Sequence, residues 1–262
     1  MNETLLKSRP YDFVEFGFVV VRDLLPRNLL SDIQRRVHDI VRLRAEYADS
    51  ISTLNKEGKI NQHFTNKLYL GLVIDDIEHH KFIYDHLRHV PELFRLVVNE
   101  RVLEEVQNCL GLKREDALSV SNVQLRIDRP NDPWKENLGW HQDSVYFNSM
   151  SRTGWSLGLW TPVFNCDLDL GPPTLIIGSH RHGRIKHVSV KHGLSESPYL
   201  NIDSSQTFLS SGKEISIHLN AGDVLLFDLD LIHRSSRNQT LNSIRWSIQA
   251  RYHVMEGSIK NA

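Results

Sequence analysis

Residues 213–238 read "KEISIHLNAGDVLLFDLDLIHRSSRN", and their texture decides the fold class. Two short apolar runs stand on either side of an Asn-Ala-Gly-Asp turn, and a histidine closes the second run. Runs of this length, rich in Ile, Val and Leu and bounded by turn residues, are strands. Working outward, the same texture returns in "LSVSNVQLRI" (118–127), "GWSLGLWTPVF" (154–164), "PPTLIIGSH" (172–180) and "SIRWSIQARYHV" (243–254). No helical period separates these runs, so parallel βαβ units are excluded and an antiparallel sandwich or barrel is expected.

Upstream the period changes. "YDFVEFGFVVVR" (11–22) reads as a helix end, a turn at Gly17 and a short apolar strand. After Pro26, Leu29, Leu30, Ile33, Val37, Ile40 and Val41 recur at helical spacing. Residues 49–68 are polar and irregular and read as a loop. A second helical block is expected over about 75–110, broken at Pro91 and near Asn99 and stopped by Gly111. The expected organisation is a single domain over 1–262. Its first 115 residues or so form a helical flank with an opening strand, and about 116–255 form the β core.

Composition narrows the function classes. The net charge is −1 and the basic residues are dispersed, which argues against nucleic-acid binding. Only Cys109 and Cys166 occur, with no CxxC, so neither a disulfide framework nor a cysteine-ligated zinc is expected. The first residues lack an apolar signal region, and no 18-residue apolar run exists. The reading is a cytoplasmic protein with a small-molecule partner and no membrane partner; the sequence leaves its oligomeric state open.

The chemistry-bearing stretch is "GWHQDSVYF" (139–147). His141 and Asp143, two apart, share a face on an extended strand. Such a triplet arises about once by chance in a chain of this composition, and alone it reads as a surface histidine beside a loop aspartate. His233 is the candidate third ligand, though alone it would be a hydrogen-bonded core histidine. Two imidazoles and one carboxylate leave three positions open on Fe(II), enough for a bidentate 2-oxo acid and O2. Twelve residues after His233, Arg245 offers a planar cation for the distal carboxylate of 2-oxoglutarate, with the Ser235 hydroxyl beside it. Taken alone, Arg245 is equally a strand arginine paired with an acid.

The chain resembles the phytanoyl-CoA dioxygenase family of Fe(II)/2-oxoglutarate-dependent oxygenases. The likeness rests on "FVEFGFVVVRDLLPRNLLSDIQ" (13–34), "WHQD" (140–143), "LGLWTPVFN" (157–165), "GSHRHG" (178–183) and "AGDVLLFDLDLIHRSSRN" (221–238), in that order. It implies a mainly β fold with flanking helices, the double-stranded β-helix (a jelly-roll, cupin-like barrel). It implies His141, Asp143 and His233 as iron ligands, and Arg245 with Ser235 on the 2-oxoglutarate carboxylate. Gln124 and Trp160 fall at cosubstrate-contact positions, and Gln142 and Asn238 at positions that orient ligands. The stretch "DLGPPTLIIGSH" (169–180) departs from the family pattern, with Ile177 where the family carries a proline. A loop of individual shape is therefore expected beside the site.

Remaining features carry less. His79, His80, His86 and His89 fit a solvated helix face better than a second metal site. His182, in a Gly-bounded loop, is a candidate substrate contact, as is Tyr146 within the aromatic group Trp140, Tyr146, Phe147, Trp155 and Trp160. The expected activity is a dioxygenase that uses Fe(II), 2-oxoglutarate and O2 to hydroxylate a small polar metabolite. Asn137, Tyr146, Asn148 and the stretch "NKEGKINQHFTNK" (55–67) suggest the polarity. Asp143 disfavours halogenation, since family halogenases carry a small residue there. Two alternatives stay open: a cupin-like metal enzyme that ignores 2-oxoglutarate, and a non-catalytic binding barrel.

Overall fold

The computed structural model describes residues 10–48, 61–130, 132, 139–147, 156–190, 199–203 and 212–255. Six helices, α1 (Pro10–Phe16), α2 (Arg27–Tyr47), α3 (Gln62–Asp75), α4 (Glu78–Leu87), α5 (Pro91–Val97) and α6 (Glu100–Leu110), precede all but one of the strands. β1 (Phe18–Val21) comes early, followed after the helices by β2 (Leu118–Asp128), β3 (Ser156–Pro162), β4 (Pro173–Ile176), β5 (His187–Val190) and β6 (Tyr199–Ile202). β7 (Glu214–Ser216), β8 (Val224–Asp228), β9 (His233–Ser235) and β10 (Arg245–Val254) complete the chain. The larger sheet runs β1-β8-β3-β10-β2, a second runs β7-β4-β9, and β5 pairs with β6. All pairings are antiparallel.

Alternation along the strands explains how the layers stack. On β10 the even residues Trp246, Ile248, Ala250 and Tyr252 join a core with Ile33, Val37 and Val41 of α2 and Leu93, Leu96 and Val97 of the α5 segment. The odd residues Arg245, Ser247, Gln249, Arg251 and His253 are also buried but polar, and point the other way. On β8, Val224 and Leu226 face the helices while Leu225 and Phe227 join Leu175 and Ile215 of the second sheet. The large sheet is thus covered by helices outside and by the small sheet inside, as in a jelly roll. Polar anchors tie helices to sheet: Trp246 Nε1 donates to Asn66 Oδ1 (2.9 Å), and Tyr252 Oη donates to the Val97 carbonyl (2.7 Å).

One expectation fails. Part of the polar stretch read as a loop is helix α3, capped by Asn61 Oδ1 accepting from Phe64 N (3.2 Å). Its polar residues Thr65 and Asn66 are buried beside Tyr69, so the helix lacks the apolar stripe that betrays a helix in sequence. The opening strand β1 belongs to the large sheet, pairing with β8.

Candidate metal centre

The two ends of the centre are stitched together by main chain. His141 N donates to the His233 carbonyl (2.9 Å) and His233 N to the His141 carbonyl (3.0 Å), an isolated antiparallel bridge. His141 is followed by a 3-10 turn at Asp143–Tyr146, and His233 opens β9. Both rings emerge side by side, with centroids 4.2 Å apart. Asp143 Oδ1 lies 3.7 Å from His141 Nε2 and 3.8 Å from His233 Nε2. Ligand atoms of all three residues fall within 4.8 Å of one another, and all three residues are buried.

Protonation favours a metal. A carbonyl only accepts, so His141 Nδ1–H donates to Gly139 O (2.9 Å) and His233 Nδ1–H to Leu231 O (2.9 Å). Both tautomers are thereby fixed with bare Nε2 lone pairs facing Asp143. Burial, and then its neighbour His233, push the His141 pKa down to about 3; burial also lowers that of His233. Burial alone would raise the Asp143 carboxyl, but the Arg251 guanidinium and the two histidines outweigh it and hold it well below the usual range. The close His–Asp contacts are therefore not ion pairs at neutral pH. They are neutral imidazole donors around a carboxylate, the set that suits a divalent first-row metal.

Sequence reading missed the residue that holds Asp143. Arg251 Nε and Nη2 both donate to Asp143 Oδ2 (2.9 and 2.6 Å), and Arg251 Nη1 donates to Gln249 Oε1 (3.1 Å). With Oδ2 engaged, Oδ1 is the oxygen presented to the histidines. The parity of Arg245, Gln249 and Arg251 on one strand was the signal available, since all three share a face. Gln142, fully buried, acts as a staple: its Nε2 donates to Gly183 O and Asp230 O (2.8 and 2.6 Å), while Oε1 accepts from Ile185 N (2.9 Å).

A cavity of about 380 Å³ opens over the three ligands. Its lining includes the expected Gln124, Trp160, Tyr146 and Ser235, and also Asn122, Arg126, Phe227 and Arg251. Asn122 reaches it through a bulge. Gln249 pairs with Gln124 but Arg251 with Ser121, so β2 spends one residue more than β10, and Asn122 sits at φ 49°. Asn122 Oδ1 accepts a hydrogen bond from Gln124 Nε2. Tyr146, 46% exposed, stands at the mouth, its Oη accepting from Leu200 N (3.1 Å).

Three expected residues lie elsewhere. Arg245 is absent from the lining: its Nε donates to Asp128 Oδ2 (3.2 Å), its Nη2 stands 3.1 Å from the same oxygen, and its Nη1 donates to the carbonyls of Leu170 and Ser236 (both 3.2 Å). Asp128 faces this arginine across the β2–β10 register. His182 is exposed and outside the lining. Asn238 is buried and organises the 236–244 connection, donating to Asp128 O (3.0 Å) and Ser243 O (2.8 Å). Asn137, Asn148 and Trp155 fall outside the described residues. The departing stretch 169–180 forms a 3-10 turn, Gly171 at φ 70° and strand β4, whose Pro173 joins the cavity wall.

Among solved structures, the chain is similar to the non-heme alpha ketoglutarate dependent epimerase SnoN from nogalamycin biosynthesis. They share 15% identity and a TM-score of 0.56, over 97% of this chain and 84% of that one. EctD from S. alaskensis with bound Fe gives 18% identity and a TM-score of 0.61, over 97% and 79%. The carbocyclase SnoK from nogalamycin biosynthesis gives 15% and 0.57, over 96% and 85%. At such identities the likeness establishes the fold, a double-stranded β-helix with flanking helices. A search of curated protein sequences returns no match. The family model for phytanoyl-CoA dioxygenase (PhyH) matches residues 13–246, nearly the whole folded chain and every residue of the His-Asp-His centre, and the protein belongs to that family.

Proposed function

We propose that the protein is a non-haem Fe(II)/2-oxoglutarate-dependent oxygenase that hydroxylates a small polar molecule. The observation that carries this reading is the convergence of two neutral Nε2 atoms and one carboxylate oxygen on the wall of a single cavity. His141 Nε2, His233 Nε2 and Asp143 Oδ1 would hold Fe(II). Three protein donors leave positions for a chelating 2-oxo acid and O2. The bound metal would supply the redox chemistry that couples oxidation of the oxo acid to attack on a substrate C–H bond.

The chain's own part is to hold and to exclude. Arg251 keeps Oδ2 of Asp143 occupied, so Asp143 offers one oxygen and leaves the remaining positions to ligands. Phe227, Trp160, Leu175 and Pro173 form a dry wall, while Asn122, Gln124 and Tyr146 supply hydrogen-bonding groups toward the mouth. An apolar wall with a few convergent polar groups suits a small, partly polar substrate. Neighbours of this fold are an epimerase and a carbocyclase as well as EctD, one structure of which holds 2-oxoglutarate and 5-hydroxyectoine. We favour hydroxylation because the polar mouth admits a hydrophilic product, and the carboxylate ligand argues against halogenation. The test is a screen of small metabolites for substrate-dependent succinate release from 2-oxoglutarate, with product mass read in parallel. A gain of one oxygen atom supports the reading; an isomerised or dehydrogenated product replaces hydroxylation by another outcome at the same centre. Absence of any 2-oxoglutarate turnover with iron loaded would sink it.

A further inference from the structure

We infer that Trp140 and Arg234 form a latch behind the metal centre, which keeps His141 and His233 in register and sets how rarely the two ligands part. Both are positioning residues: they act through the main chain of the ligands and not on the metal. The inference rests on the metal-centre part of the oxygenase reading and goes beyond it.

A single bridge joins the two ligand segments. His141 and His233 exchange both main-chain hydrogen bonds, so they form the hydrogen-bonded type of antiparallel pair. One step out, residue 140 comes opposite residue 234 in a non-hydrogen-bonded pair, where side chains approach most closely. Alternation turns these two side chains to the face opposite the ligand rings, and Trp140 is absent from the cavity lining. On that face the Arg234 guanidinium carbon lies 4.3 Å from the centroid of the Trp140 ring, a cation–π contact. The ring packs on the cluster of Ile176, Ile202 and Ile232, and the Trp140 carbonyl accepts from Ile202 N (2.7 Å). Residues 140–141 are thus held between β6 on one side and β9 on the other.

The register decides what the latch protects. The carbonyl of Gly139, next in the chain to Trp140, accepts from His141 Nδ1 (2.9 Å) and so fixes the ligand tautomer. A slip of one residue would turn His141 away from Asp143 and carry that carbonyl with it. A cross-strand side-chain pair on the far face opposes the slip. Arg234 has a second partner, Glu214, whose Oε2 stands 3.2 Å from Arg234 Nη2. These two side chains are 41% and 43% exposed, and an ion pair so open to water contributes little. The ring contact carries the latch. Arg234 also borders the cavity, yet its guanidinium is committed to Trp140 and Glu214.

The first measurement is amide hydrogen exchange in the metal-free protein, where local opening of the bridge limits the rates at His141 and His233. Arg234→Gln is expected to speed both amides about 2- to 5-fold, the factor that loss of a partly exposed cation–π contact gives. Trp140→Leu should speed them more, and in that background Arg234→Gln should add nothing. Arg234→Lys, which keeps a cation over the ring, should restore most of the protection, and Glu214→Gln should stay near the wild type. The amides of Val163 and Cys166, bonded to the carbonyls of Trp246 and Leu219, are controls and should not change. Co(II) is then loaded, and its loss to excess EDTA is followed by the visible spectrum. That loss should quicken by the same factors, because release requires the ligands to part. Wild-type exchange at His141 and His233 in Arg234→Gln would overturn the latch, as would Co(II) loss that stays at the wild-type rate while exchange quickens. So would additive effects of the two substitutions, Glu214→Gln matching Arg234→Gln, or equal acceleration at the control amides, which would mark a general loss of stability. A wild type that binds no Co(II) would overturn the metal-centre reading instead and leave the exchange rates to decide the latch.

Discussion

Replacing Gly158 by alanine would put a methyl carbon 2.4 Å from Cζ of Phe227, its partner across the β3–β8 pair. Carbon atoms in contact sit at about 3.5–4.0 Å, so the ring must retreat by more than an ångström. Phe227 is 5% exposed, lines the cavity and packs on the His233 ring at a centroid distance of 4.9 Å. The ring can move only into the cavity or against the ligand histidine. Overpacking of this kind costs about 1–3 kcal/mol, and disturbing a group that orients a ligand lowers metal affinity roughly tenfold. Urea denaturation of the metal-free protein would read the first effect, and anaerobic titration with Co(II), followed by its visible spectrum, the second. Gly158→Ala/Phe227→Leu, which removes the clashing ring atoms, should recover most of the stability. If Gly158→Ala kept both the wild-type midpoint and the wild-type metal affinity, the packing argument would be wrong.

Other expectations are simpler. His141→Ala and His233→Ala should each abolish the rise in melting temperature that Fe(II) or Co(II) gives the wild type, while far-ultraviolet circular dichroism stays unchanged; metal-induced stabilisation retained in the double variant would remove the centre. Acid should destabilise the metal-free protein early. His141 has an ordinary pKa of 6.5 when unfolded and about 3 when folded, so the unfolded state gains its proton first and stability falls as pH drops from 6.5 toward 3. From pH 7 to pH 5 this one group should cost on the order of 2 kcal/mol, visible as a urea midpoint that falls less steeply in His141→Gln. Gln142→Leu removes three side-chain hydrogen bonds, to Gly183, Asp230 and Ile185, and should lower stability by about 2–4 kcal/mol. Unaltered denaturation would show that the staple is slack.

Short apolar runs and turn residues made the β core legible, and they did so because each strand is short and cut by Gly, Pro or Asn-Asp turns. The helix over Gln62–Asp75 was not, because it buries polar Thr65 against His38 of α2 and polar Asn66 against Trp246 of the sheet in place of an apolar stripe. Spacing alone reads His141 and Asp143 as chance; it was the order of the surrounding family-like segments that set them beside His233, and the fold brings the three together. Arginine roles were not readable in the same way. Whether Arg245 reaches a ligand or an acid depends on the residue opposite it, and that residue, Asp128, is 117 positions away in the chain. The same holds for Arg251, whose partner Asp143 arrives from a turn outside the sheet.

The alternation on β10 also shapes how the protein could change. Its even residues, Trp246 to Tyr252, are packed among helices, and its odd residues are polar, Gln249 and Arg251 among them lining the cavity. Tolerance to substitution along this strand should therefore oscillate with a period of two, one parity scored by whether the chain survives heating and the other by what it binds. A lineage, or a library, can explore new ligands on the odd parity while the even parity stays silent. Because neighbouring letters answer to different pressures, ligand preference can drift here without passing through unfolded intermediates.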